Sequence, residues 1–150
     1  MKKILVPVDG SAESKKAVAQ AVSLAKKFGS EMTLLTVVEV ENDVVITEFG
    51  VAVSGEYAGV RDTLIKIRQE SSAKMLDAII AGLDCTGVPI TKLIKVGPAH
   101  PEITEEATAG KYDLIVMGHR GLNPVKRFFM GSVAKRVIED APCSVLVVKE

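Results

Sequence analysis

A chain of 150 residues is about one domain and can bury a substantial core. With 47% apolar residues, 25% charged residues and a formal net charge of zero, it reads as soluble and globular. The balance gives no electrostatic reason to expect nucleic acid or a membrane surface as partner. No apolar stretch approaches the roughly 20 residues needed to span a bilayer.

Met1-Lys2-Lys3-Ile4-Leu5-Val6-Pro7-Val8-Asp9 has a basic head and an apolar body. The apolar run is short, contains Pro7 and ends at Asp9, so it is read as a strand and not as a targeting signal. The two cysteines, Cys85 and Cys143, are too few for a disulfide framework and read as small packing residues. The expected compartment is the reducing cytoplasm.

Ile4 to Val8 is an apolar run suited to a strand buried on both faces. Asp9-Gly10-Ser11 breaks it. A helical pattern follows, with Ala17, Ala21, Leu24, Ala25 and Phe28 on one face, Ser11 as N-cap and Gly29 as C-cap. Met32 to Val38 is a second buried strand. From Glu39 to about Gly59 the periodicity fails: Gly50, Gly55 and Gly59 alternate with scattered Val44, Ile46, Phe49 and Val51. This stretch reads as a long loop, either a surface excursion or subunit contact or a lid.

A long helix is predicted from about Arg61 to Asp84, its stripe being Leu64, Met75, Leu76, Ile79, Ile80 and Leu83. Gly87-Val88-Pro89 closes it. Ile90 to Val96 is a third strand, and Pro101 to Ala109 a short helix with Glu102, Glu105 and Glu106 near its start. Leu114 to Met117 is a fourth strand, Ser132 to Asp140 a helix, and Ser144 to Val148 the last strand.

The order βαβαβαβαβ predicts one α/β domain over residues 1–150. Its expected form is a Rossmann-like, doubly wound, five-stranded parallel sheet in the order 3-2-1-4-5, with helices on both faces. Ligands of such sheets sit at the carboxyl ends of strands where the order reverses. Here that point lies at the ends of the first and fourth strands, near Asp9 and Gly118.

The segment leaving the fourth strand carries the chemistry. Met117-Gly118-His119-Arg120-Gly121 is followed, nine residues later, by Gly131-Ser132 at a helix start. Gly118 lets a ligand lie close to backbone, and Gly121 permits a turn that aims amides inward. Gly131-Ser132 stands where unpaired amides and the helix dipole favour phosphate. Lys126-Arg127 supplies adjacent cations. The same glycines also suit plain turn and capping duties, and neither the GxxxxGK[ST] loop nor the GxGxxG fingerprint is present.

The spacing Gly118-x2-Gly121-x9-Gly131-Ser132 resembles the signature of the ATP-binding branch of the universal stress protein family. Ile4 to Ser11 with Ser14 is similar to the family's opening strand and turn. Tyr112 to Gly118 resembles its fourth strand, and Pro142 to Val148 its closing strand. The resemblance implies that Pro7 and Val8 wall the adenine, that Asp9 approaches adenine and ribose, and that Val37 holds the adenine edge through its backbone. Met117 and Gly118 would line the adenosine, while Gly121, Gly131, Ser132 and Val133 hold the phosphates. ATP would carry Mg2+ or Mn2+ on its phosphates, without a dedicated protein cage.

The family also implies a homodimer paired through strand 144–148, an edge that natural proteins tend to cover. Two features depart from the family: segment 39–59 maps onto nothing in it, and Gly97-Pro98-Ala99-His100-Pro101 places its prolines differently. For Asp9, a helix-entry role stays open, as does plain core packing for Val37.

Asp9, which the resemblance places near the sugar, is a poor candidate for a γ-phosphate base. His119 is the nearest titratable group, and a loop histidine is more often solvated than catalytic. His100 and His119 have no zinc-ligand spacing, and no nucleophile elbow occurs. The expected function is an ATP-binding regulatory or stress-response protein with slow hydrolysis at most. The alternatives are a nucleotide-free dimerising scaffold and a weak ATP hydrolase.

Overall fold

Ile4, Leu5 and Val6 are fully buried, yet they do not share one core. Ile4 and Val6 pack with Ala17, Met32, Leu34 and Val116, whereas Leu5 packs with Leu35, Ile103, Ile115 and Val137. The period-two alternation of a strand covered on both faces makes that division. The strand is β1 (Lys3–Pro7). It belongs to a computed structural model describing residues 1–40, 46–47, 50–51, 55–122 and 130–149.

The remaining elements are α1 (Ala12–Phe28), β2 (Glu31–Val38), a short antiparallel pair β3 (Ile46–Thr47) and β4 (Gly50–Val51), and α2 (Gly55–Ala81). They continue with β5 (Ile90–Val96), α3 (Ala99–Ala109), β6 (Leu114–Gly118), α4 (Ser132–Asp140) and β7 (Ser144–Val148). The main sheet runs β5-β2-β1-β6-β7 and every pairing in it is parallel. Counted along the chain, that is the predicted order 3-2-1-4-5. Helices α1 and α2 cover one face and α3 and α4 the other.

Pro7 opens the sheet at its centre. The Val8 amide donates to the Leu35 carbonyl, and the Asp113 amide donates to the Lys3 carbonyl. Even positions of β1 therefore direct their backbone groups to β2, and odd positions direct theirs to β6. Pro7 is odd and has no N–H, so the ladder toward β6 loses its next donor. Pairing between the two strands accordingly ends at Leu5 with Ile115. Beyond that point β6 continues beside β7 to Gly118, and a crevice lies between β6 and the end of β1.

Ser11 caps α1, its side chain accepting from the Ser14 amide, and Gly29 closes the helix in the left-handed region at φ 64°. Phe28, predicted on the buried face, is 52% exposed, because the core stripe ends at Ala25. The Lys27 ammonium covers its ring instead, at 5.8 Å.

Helix α2 begins six residues before Arg61, inside the stretch read as loop, and it ends at Ala81, not Asp84. Gly55 and Gly59 are poor helix formers, which disguised its first turns. Leu64 does not join its buried stripe, being 50% exposed; Leu76 and Ile79 do. Helix α3 likewise begins at Ala99, ahead of Pro101. Among the described residues no helix is long and apolar enough to cross a membrane.

Candidate functional site

The crevice continues into a cleft of about 520 Å3 whose lining includes Pro7, Val8, Asp9, Val37, Met117, Gly118, Gly121, Gly131, Ser132 and Val133. These ten residues, which the family resemblance marked for the nucleotide, thus meet at one place, and His119 is not among the lining residues. Lys126 and Arg127, also singled out, lie outside the described residues.

Each lining residue is placed by its element. Leu35 offers its carbonyl to Val8, and Val38 offers its carbonyl to Gly97. Alternation along β2 then turns the Val37 N–H and C=O toward the β1 side, at a level where β1 has already given way to the turn into α1. The Val8 carbonyl is taken by the Thr36 hydroxyl at 2.9 Å. A strand-end donor and acceptor therefore face the crevice together.

Asp9 is a clamp. Its Oδ1 accepts from the Ser11 amide at 2.9 Å and its Oδ2 from the Leu122 amide at 3.0 Å. The helix-entry role and a hold on the glycine loop are combined in one carboxylate. The loop's two ends meet as well: the Gly131 amide donates to the His119 carbonyl at 3.0 Å, and the His119 amide to Val148.

The glycines divide into two kinds. A Cβ on Gly118 would lie 2.8 Å from Glu13 Cβ and 2.9 Å from the Glu13 carbonyl carbon, so the bare backbone admits the first turn of α1. A Cβ on Gly121 would lie 2.5 Å from Asp9 Oδ2. Close approach at Gly118 was expected to serve a ligand and Gly121 to permit a turn; in addition, the first admits α1 and the second the Asp9 carboxylate. Gly131 differs, because its Cβ would meet only ordinary contacts, at 3.5 Å from Arg120 Cα and the His119 oxygen. It is the N-cap of α4 at φ −61°, and it makes no side-chain cap. The first-turn amides of α4 have no carbonyl of their own helix to bond.

Arg120 and Glu13 form an ion pair at 3.3 Å, each 15% exposed, beside the glycine loop. Hydrogen bonds from the Lys2 and Lys3 amides hold the Asp113 carboxyl below the ordinary range, and burial pushes the Tyr112 phenol and the Cys143 thiol up. Among the described residues, the charged members of the cleft lining are Asp9, Glu39, Arg68 and Arg120.

Residues 1–149 match the model of the universal stress protein family. The chain belongs to that family. A universal stress protein of Methanocaldococcus jannaschii is 38% identical over 99% of this chain and 82% of its own length. The solved structure of UspA from Lactobacillus plantarum matches with a TM-score of 0.79 at 25% identity, covering 98% of this chain and 97% of that one. A universal stress protein solved in complex with cAMP matches with a TM-score of 0.63 at 23% identity, over 98% of this chain and 95% of its own, and so shows the fold alone.

This universal stress protein also lines its cleft with residues that the sequence did not mark as binding residues. Arg68, Ser71, Ser72 and Met75 of α2 form one wall, and Glu39, Ala99 and Ile103 close the end near β2. The spacing 68, 71, 72, 75 is a helix face. Its polar members continue the line of the buried Leu76 and Ile79, and that change of character was the available signal.

Proposed function

We propose that this universal stress protein binds ATP in the cleft and acts as a nucleotide-dependent regulatory or stress-response protein, with slow hydrolysis at most. Gly131 carries the reading. Packing accounts for the glycines at 118 and 121, but among the described residues nothing demands one at 131. Serine or aspartate there would cap α4; glycine forgoes that bond and keeps the first-turn amides open to an anion. A phosphate chain gains most from that arrangement.

In the proposed pose the adenine edge meets the Val37 backbone beside Pro7 and Val8. The ribose lies near Asp9, Met117 and Gly118, and the phosphates lie over Gly121, Gly131, Ser132 and Val133. Mg2+ or Mn2+ is carried on the phosphates, since such ions keep several waters and need few protein ligands. The cAMP complex of a neighbour tells that a protein of this fold holds that nucleotide. The partner is a second copy, paired along β7, whose Val145 to Val148 are half-buried at the edge of the sheet.

Calorimetry of nucleotide-stripped protein with ATP and Mg2+ is the test. Saturable binding is expected, lost in Gly131→Val while the far-ultraviolet spectrum is kept. No heat from the stripped wild type sinks the reading. One observation favours a nucleotide-free scaffold: Asp9, Gly118 and Gly121 are already accounted for by protein contacts. That outcome would leave the scaffold standing.

A further inference from the structure

Glu39 stands one residue beyond the end of β2 and joins the two helical layers across the outer end of the cleft. The Arg68 guanidinium on α2 donates through Nη1 to the Glu39 carbonyl at 2.8 Å. The Glu39 carboxylate accepts from the Ala99 amide at 2.8 Å. Ala99 opens α3, whose N-cap, Pro98, makes no side-chain cap, so the carboxylate takes the place of one. Helix α2 covers one face of the sheet and α3 the other. Glu39, Arg68 and Ala99 all line the cleft.

Geometry along β2 says what this bracket faces. Within Val37 the carbonyl lies further along the strand than the amide, toward Glu39. A base edge that takes both groups places its acceptor nitrogen on the amide and its exocyclic amine on the carbonyl. The amine then points to the Glu39 end. We propose that Glu39 and Arg68 form an end stop to the base subsite, restricting it to adenine whose exocyclic amine carries no substituent. The stop rests on the ATP reading above and adds selectivity to it. It acts by obstruction, and the hydrogen bonds at both ends of Glu39 keep the obstruction in place.

The probe is N6-benzyl-ATP, compared with ATP by calorimetry on the full chain with Mg2+. Wild type is expected to bind ATP at least about tenfold more tightly than the benzyl analogue. Glu39→Ala combined with Arg68→Ala should narrow that ratio to within about threefold, and Glu39→Gln, which keeps an oxygen for the Ala99 amide, should preserve it. Equal affinity of wild type for both nucleotides overturns the stop, independently of how any variant folds. A ratio unchanged in the double variant also overturns it. Failure of wild type to bind ATP at all is a different result, and it removes the nucleotide reading together with the stop.

Discussion

Gly118→Ala would place a Cβ 2.8 Å from Glu13 Cβ, 2.9 Å from the Glu13 carbonyl carbon and 3.1 Å from the Ser14 nitrogen. Two of those atoms are backbone, and they cannot swing aside as the end of a flexible side chain would. The first turn of α1 is held by the Ser14 amide on the Ser11 hydroxyl at 3.1 Å and by the Ser14 hydroxyl on the Ser11 carbonyl at 3.0 Å. The strain must move either the start of α1 or the end of β6. Overpacking of this kind costs about 1–3 kcal/mol. In a domain of this length each kcal/mol lowers Tm by about 2–4 °C, so a fall of about 2–12 °C is expected. Urea titration should show a lower midpoint with the slope unchanged.

Gly131→Ala is the control, since its φ of −61° suits any residue and its Cβ has ordinary room. Its cost in stability should stay below about 1 kcal/mol, the scale of an N-cap change. Equal destabilisation by the two substitutions, or none from Gly118→Ala, would refute the division of the glycines.

Asp9→Ala removes the acceptor of two amides, so hydrogen exchange at Ser11 and Leu122 should quicken while exchange in β2 stays slow; unchanged rates would deny the clamp. Asp113 has a depressed carboxyl pKa, so its contribution to stability is present above its ordinary value of 3.8 and is lost as pH falls through the lower folded value. Acid titration of Asp113→Asn should therefore show a shallower loss of stability below that pH than wild type, and identical profiles would count against the assignment. Odd residues of β7 direct their backbone away from β6, because the Val148 carbonyl accepts from His119. Val147→Pro should accordingly spare the β6 ladder yet dissociate the proposed β7 dimer, as read by sedimentation; a monomeric wild type would end that proposal.

The sheet is legible from the residues because its central strands are buried on both faces. Ile4 to Val6 reads as an unbroken apolar run and Met32 to Leu35 as one interrupted only by the β-branched Thr33, and each became a strand. The edge of the site is less legible. Gly118 and Gly121 stand at the predicted switch point, yet what fills the space beside them is Glu13 and Asp9, residues more than a hundred positions away along the chain. No local pattern reports such a neighbour. Gly55 and Gly59 hid the start of α2 for a different reason: helix propensity argues against them, and the longer helix prevails.

That extra length shapes the cleft. Helix α2 has 27 residues and spans about 40 Å, whereas the 8 residues of β2 span about 26 Å. A right-handed crossover starts α2 at the carboxyl end of the sheet and runs it back antiparallel to the strands. Leu76 and Ile79 pack on the sheet, while Val60, Leu64 and Ile67 are more than half-exposed or close to it, so the surplus turns stand beyond the strand ends. Arg68, Ser71 and Ser72 lie at the transition, where the helix leaves the core and becomes a wall of the cleft. The glycine loop and α4 bound the opposite side. The depth of this site thus depends on a helix outlasting its strand, and the contact between Arg68 and Glu39 turns that surplus into a closed end.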